Sequence, residues 1–402
     1  MNNKKDINIT VPPYVANTAI EAPLVKKIKL SLEDPDMIFL SSNGKEIPAV
    51  LKPLNENQAM LICIPPENYG EKKHVKLTGK YRKKAKKSNS FQKNLDSPLK
   101  IEKKDFKNGN SISIIQEGKI WTEFRYGDFK TANRPFLYPL IVPSGVGVTR
   151  NYPMKEVKGE SQDHIHHTGV WTAWGKVNRT DNWAYGKKKG RQKVKSIQIK
   201  SYGVFGEIKA VIEWVKADGS PQLQEKRKIT IFNTKNARLI DFDIHLTAAY
   251  GKIKLKDTKE GGFLSVRVAT PMDVRNGGKI QQSTGAISEH KGKDSEKKVW
   301  GKRAEWCDYS GIIDGKEVGV AILDHPDNPI HPTYWHVRNY GLMTANPFGI
   351  SYFKGGFFKR GTLKLKKNES IQFKYRLIAH DGDAEEAKIA QHYEAYKKQQ
   401  LI

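Results

Sequence analysis

Three of the chain's eleven histidines fall within four residues, in the run Asp163-His164-Ile165-His166-His167-Thr168-Gly169-Val170-Trp171. An imidazole titrates near neutral pH, so it can move a proton or ligate a metal. Read as an extended segment, the run puts His164 and His166 on one face and Asp163, Ile165 and His167 on the other. Asp163 can fix a histidine tautomer or raise its pKa. A divalent metal on His164 and His166 is one option, but no HExxH or other spaced zinc signature accompanies them. The competing reading is a polar cluster hydrogen-bonded inside a core.

Two further groups carry polar chemistry. Asp324-His325-Pro326 is followed by Trp335-His336-Val337-Arg338-Asn339-Tyr340-Gly341. On a strand, His336 and Arg338 share a face, and an imidazole beside a guanidinium suits a polar or anionic ligand. Trp335 and Tyr340 offer flat apolar surfaces, which sugar rings use as readily as protein cores do. In the third group, Glu260-Gly261-Gly262-Phe263 precedes Arg267, and Trp300-Gly301 precedes Glu305-Trp306 and Asp308. Carboxylates beside tryptophans could work as acid or base on a glycosidic bond. Glu260 with Arg267 reads equally well as a buried ion pair.

These residues need a scaffold, and the pattern around them is β. Ile240, Phe242, Ile244 and Leu246 alternate with Asp241, Asp243 and His245, a period of two with one apolar face. Val211 to Val215 and Lys228 to Phe232 flank Ala217-Asp218-Gly219-Ser220, whose Asp-Gly predicts a hairpin. Leu363 and Leu365, then Lys366 to Glu369, then Ile371, Phe373, Tyr375 and Leu377 predict another. Asp383-Ala384-Glu385-Glu386 resembles a capping box and opens a C-terminal helix with Ala387, Ala390, Tyr393 and Tyr396 at helical spacing. The expected organisation is a small N-terminal β-sandwich over residues 1–80, with strands at Met37–Leu40 and Met60–Ile64 around a turn at Ser42 to Lys45. A lysine-rich linker follows over 81–108, then a main antiparallel β-sandwich over 109–402.

Composition narrows the function classes. At 402 residues the chain can bury a large core, and Cys63 and Cys307 read as two buried thiols rather than a disulfide framework. No G-x-G-x-x-G or P-loop pattern occurs, and no repeat of fixed period. No segment approaches the ~20 apolar residues of a bilayer span. Residues 1–10 are polar with no apolar h-region, so no signal peptide is read, and the cytoplasm or periplasm is the expected location. The net charge of +27 predicts attraction to anions. Arg82 to Lys87 reads RKKAKK and is expected to be an exposed solvated stretch. It lacks aromatic interleaving and any nucleic-acid module signature, so a nucleic-acid partner is not expected.

Six segments taken in order, RPFLYPLIVPSGVGVTRNYP (opening at Arg134), DHIHHTGVW, KEGGFLSVRVA, WGKRAEWCDYSG, LDHPDNPIHPTYWHVRNYGLMTANPFG and YRLIAHDGD, resemble the bacterial PmoA-like family. The resemblance runs from about residue 20 to 395. The chain departs from the family at Ile165 and Thr168, where proline and a basic residue are common, so position 168 lacks a cation. With no membrane span, a membrane oxygenase subunit is not what the resemblance implies. It implies a sandwich similar to the galactose mutarotase-like fold and, from the sugar-oxidation and polysaccharide-breakdown genes such proteins accompany, a carbohydrate substrate. The resulting expectation is a hydrolase or lyase that cleaves a glycosidic bond, on an acidic glycan if the charge is used. The candidate catalytic residues are His164, His166, His167, Glu260 and His336. The candidate substrate-binding residues are Arg134, Asp163, Trp171, Arg267, Trp335, Arg338 and Tyr340, with Arg267 or Arg338 holding negative charge. A non-catalytic carbohydrate-binding protein and a metal-dependent enzyme are the alternatives.

Overall fold

A computed structural model describes residues 7–11, 20–29, 37–40, 46–55, 58–64, 75–81, 98–106, 109–127, 132–289, 293–355 and 361–399. The protein is an all-β antiparallel sandwich with a C-terminal helix. One main sheet has seven strands, in spatial order Leu342–Ala345, Gly261–Arg267, Val170–Trp174, Phe136–Leu140, Lys119–Tyr126, Gly109–Gln116 and Lys100–Phe106. The other has nine, in the order Arg191–Ser201, Phe205–Val215, Pro221–Phe232, Ala237–Thr247, Ser370–Asp381, Lys316–Asp324, Trp306–Ile313, Lys279–Gln282 and Ile287–Ser288. The core lies between them. Ile112, Phe124 and Leu140 from the first sheet meet Ile208, Ile212, Ile244 and Phe373 from the second, all fully buried.

The period-two run at 240–246 buries Ile240, Phe242, Ile244 and Leu246, as its alternation requires. The Asp218-Gly219 hairpin forms, with Ile212 opposite Glu225 and Phe205 opposite Phe232. The second predicted hairpin does not. Its turn is real, with Glu369 N–H donating to the Lys366 carbonyl, but the flanking strands part. Leu363–Leu365 pairs with Ile253–Leu255, while Ser370–Asp381 lies between Ala237–Thr247 and Lys316–Asp324.

The N-terminal region contributes a four-stranded sheet (Ile7–Val11, Val75–Tyr81, Met37–Leu40, Glu46–Ile47) and a three-stranded one (Leu24–Lys29, Gln58–Cys63, Ala49–Asn55). From the latter, Val25, Val50, Met60 and Ile62 pack against Phe205, Phe232, Leu239 and Ile378 on the outer face of the nine-stranded sheet. The C-terminal helix, Ile389–Tyr396, joins the same apolar layer through Ile389, Tyr393 and Tyr396. Asp383 does cap, its Oδ1 accepting from the Glu385 and Glu386 N–H groups. That cap closes a turn, and the helix starts six residues later, with Ala390 exposed rather than docked. The linker needs the larger correction. Lys100–Phe106 is a strand paired with Gly109–Gln116, so the main sandwich begins near the buried Leu99, not at 109. Its charges fit an edge strand, where one side meets water. Arg82 to Lys87 and the turn at Ser42 to Lys45 lie outside the described residues. Cys63 and Cys307 are buried free thiols.

Candidate functional site

Three neighbouring strands of the seven-stranded sheet end together. Val170 opposes Val266, and Arg267 opposes Leu342, so the 161–169 loop, the end of Gly261–Arg267 and the 335–341 loop meet at one edge. Gly169 makes the entry possible. Its φ is +54°, and a Cβ there would sit 2.1 Å from the Leu137 carbonyl oxygen.

The histidine run is not a strand. His164 has φ +43°, and His167 N–H donates back to the His164 carbonyl at 2.9 Å, so the chain turns. A buried arginine outside the candidate set, Arg150, fixes that turn. Its Nη1 donates to the Asp163 carbonyl (2.7 Å) and to Asp163 Oδ1 (2.6 Å), and its Nη2 to the carbonyls of His164 (3.0 Å) and His167 (3.2 Å). Arg267 Nη2 reaches the same Asp163 oxygen at 2.7 Å. A residue that collects carbonyls from a turn leaves no signal in a linear pattern. Arg150 was visible only as the arginine of VTRNYP.

Asp163 therefore has two differently used oxygens. Oδ1 takes two guanidiniums, and Oδ2 lies 3.0 Å from His164 Nδ1. Burial would raise the Asp163 carboxyl, but His164, Arg267 and Arg150 together hold it well below the ordinary carboxylate range. A carboxylate accepts only, so His164 Nδ1 carries the proton and Nε2 offers its lone pair. The His164 side chain is 41% exposed. His167 is fixed the opposite way. Its Nδ1 lies 3.2 Å from Arg267 Nη1, which only donates, so its proton sits on Nε2. Burial, then His166 and Arg267, lower the His167 pKa well below its usual value. Burial, with Arg134 and His164, lowers that of His166 to about 3. Both stay neutral at pH 7.

The rings form a column. Tyr340 stacks on His164 at 5.1 Å, His164 on His167 at 4.7 Å, and His167 on Trp171 at 5.3 Å. Trp183, also outside the candidate set, packs edgewise on His167 and His166 at 5.7 and 6.2 Å. Arg134 supports this wall by donating to the Trp183 carbonyl. Burial lowers its pKa to about 9, which leaves it charged at neutral pH. Around Tyr340 stand three guanidiniums: Arg267 at 4.8 Å, the exposed Arg275 at 5.4 Å and Arg338 at 5.8 Å, the last paired with Glu296 at 3.2 Å.

Three candidates belong elsewhere. Glu260 precedes the far end of the strand that Arg267 ends. At ~3.3 Å per residue the seven steps between them span roughly 23 Å. Glu260 is half-exposed and pairs with Lys259, so neither the buried ion pair with Arg267 nor a shared site exists. Glu260→Gln is expected to leave turnover and stability within ~0.5 kcal/mol of wild type, checked by parallel kinetics and denaturant melts. Trp335 is fully buried with its Nε1 donating to the Ala304 carbonyl, and is core rather than a sugar platform. His336 accepts from Trp300 Nε1 at 2.9 Å and packs on Phe353. Burial, then Arg338, push its pKa to about 3, and its ring meets none of the 164–167 histidines. Residues 335–338 are not a regular strand, so the strand face expected to hold His336 and Arg338 together is absent. Among the described residues no group of three or more His, Cys, Asp or Glu side chains is arranged to hold a metal ion. The proposed pair of ligands, His164 and His166, meets edge-on at 5.8 Å, with His164 Nδ1 already engaged by Asp163.

The Asp163 anchor has a pH signature. Its carboxyl titrates lower folded than its unfolded value of about 3.9. The stability it contributes is present above about pH 4 and fades as pH falls through the folded value. Denaturant midpoints between about pH 6 and pH 2 should therefore fall more steeply for wild type than for Asp163→Asn. Parallel acid limbs would remove Asp163 as the anchor.

A family model, the family of unknown function DUF6807, matches residues 111–394. No curated protein matches the chain by sequence. Similar solved structures include a GH36 α-galactosidase from Geobacillus stearothermophilus (TM-score 0.35, 12% identity, 75% of this chain and 43% of that one). A glycosyl hydrolase family 38 protein from Enterococcus faecalis gives 0.39, 10%, 98% and 47%, and galactose 1-epimerase from Lactobacillus acidophilus gives 0.34, 9%, 71% and 99%. The chain spans less than half of the first two. Scores this low carry no activity across to this chain.

Proposed function

Since the chain belongs to the DUF6807 family, whose function is unknown, its reaction has to be argued from its own residues, and we propose that it cleaves a glycosidic bond in an acidic carbohydrate with His164 as the proton-transfer group. The observation that carries this reading is the Asp163–His164 pair. An ionised carboxylate anchored by two buried arginines engages Nδ1 of a 41%-exposed imidazole and leaves its Nε2 unengaged by that carboxylate. The order of segments that resembles the PmoA-like family supports a sugar substrate.

Between hydrolysis and elimination the geometry favours elimination. Hydrolysis ordinarily uses two available carboxyl groups flanking the bond. Here Asp163 is tied to two guanidiniums, Glu160 accepts the N–H groups of Asn151 and Tyr152, and Glu296 holds Asn339 N–H and Arg338. Elimination needs one base beside a cationic pocket. His164 Nε2 takes the proton on the carbon next to a uronate carboxylate, whose developing charge the exposed Arg275 offsets. The carbon–oxygen bond at the neighbouring position breaks, a C=C bond forms, and the departing oxygen receives the proton from His164. No oxidant or reductant is consumed. Tyr340, stacked on His164, provides the surface beside which the sugar ring sits.

The test is a panel of neutral, uronic and sulfated glycans, followed by reducing-end assay and by ultraviolet absorbance of the unsaturated product. Reducing ends with ultraviolet absorbance support elimination. Reducing ends without it mean hydrolysis. Binding with no product on any glycan makes the protein a carbohydrate-binding module instead.

A further inference from the structure

The 181–190 loop, whose Trp183 packs on the histidines, also helps line a recess of about 450 Å³, within the roughly 300–1,000 Å³ of small-molecule sites. Its lining includes Asn133, Tyr185, Lys187, Arg191, Gln192 and Lys193. Two features distinguish it from ordinary basic surface. The walls are built: Asn133 Nδ2 donates to the Ala184 and Gly190 carbonyls, and Gln192 Nε2 to the Thr172 carbonyl. The described cations also lack close carboxylates: Lys189 pairs with Asp181 and Lys195 with Glu213, while among the described residues Lys187, Arg191 and Lys193 have no carboxylate at ion-pair distance and no described lining residue is a carboxylate. Tyr185, 38% exposed, adds an aromatic face to the three cations.

We infer that this recess is a subsite for an anionic sugar residue, binding its carboxylate or sulfate through Lys187, Arg191 and Lys193 while Tyr185 packs on the ring. The inference rests on the reading of His164 as the site of glycan cleavage and extends it to the substrate class, an acidic polymer rather than a single sugar. The recess is close enough for this. Trp183, which packs on His166 and His167, is two residues from Tyr185, at most about 7 Å of chain. Asn133, in the recess wall, accepts from Arg134 Nε of the histidine side, so one pair of adjacent residues faces both.

The experiment compares two triple variants that remove equal charge. One is Lys187→Gln with Arg191→Gln and Lys193→Gln. The other is Lys254→Gln with Lys366→Gln and Lys367→Gln, all exposed positions outside the recess. Affinity for polygalacturonate, dextran sulfate and neutral dextran is measured by titration at about 0.15 M salt, where charges beyond about 8 Å are largely screened. The expected result is a loss of at least about tenfold for the recess variant on one acidic polymer, a loss below about twofold for the control, and no change on dextran. Polygalacturonate as the sensitive ligand identifies a carboxylate site, dextran sulfate a sulfate site. Equal losses in both variants, or none in the first, overturn the subsite. If His164→Gln has no effect on any turnover while the recess variant still loses affinity, the catalytic reading fails and the subsite stands.

Discussion

His164→Gln is expected to lower turnover by about 10²–10⁴-fold on the glycan that the panel identifies, with little change in melting temperature. The side chain is 41% exposed, a Gln amide can still donate to Asp163, and the two arginines on Asp163 remain in place. His167→Gln should behave the opposite way. That ring is 1% exposed and receives Arg267, so its loss should cost on the order of 1–3 kcal/mol of stability, with rate falling only in proportion to folded protein. Thermal melts beside kinetics on both variants separate the roles. A His164 variant with near-normal rate on the active substrate removes this group as the base.

Arg150→Lys is expected to have the largest effect on stability. Arg150 is fully buried and meets three backbone carbonyls of the turn as well as Asp163 Oδ1. An ammonium cannot reproduce that fork. It would leave carbonyls of the turn unpaired, at a cost of about 1–3 kcal/mol for each buried group left unsatisfied. Turnover should fall too, because the turn that presents His164 is no longer held. Unfolding in urea measures the first effect. A midpoint within experimental error of wild type would mean that Arg150 does not organise the turn.

The sandwich was legible where local pattern and burial coincide. Ile240 to Leu246 alternate because one face of that strand meets the core, and Asp218-Gly219 supplies a turn backbone that few other pairs allow. Lys100–Phe106 was hidden because an edge strand tolerates charge on positions that a central strand must keep apolar. The Leu363 hairpin failed for a related reason. Lys366 to Glu369 do turn the chain, but a turn does not specify which strands pair, and both neighbours found other partners.

At the site, Asp163, His164, His166, His167, Trp171, Arg267 and Tyr340 come together although sequence separates them by up to 177 positions (340 − 163). Residue type and density marked the place. The extended reading of 164–167 could not survive, because a polar run with no apolar alternation has no period to read, and its conformation is set by Arg150 from outside. Glu260, Trp335 and His336 have suitable chemistry but the wrong surroundings. Glu260 lies beyond the opposite strand end, and the other two are packed from every side, facts that only tertiary structure supplies.

The apolar layer behind the nine-stranded sheet has a bearing on how the chain folds. It joins Val25, Val50 and Ile62 to Ile389, Tyr393 and Tyr396. These residues stand far apart in sequence, so the layer closes only when two distant segments are both present. Contacts of such long sequence separation slow folding and keep apolar strands exposed meanwhile. Deleting Ile389–Tyr396 would leave a molecule with its sandwich assembled and one greasy flank permanently open, prone to sticking to its own copies rather than to unravelling.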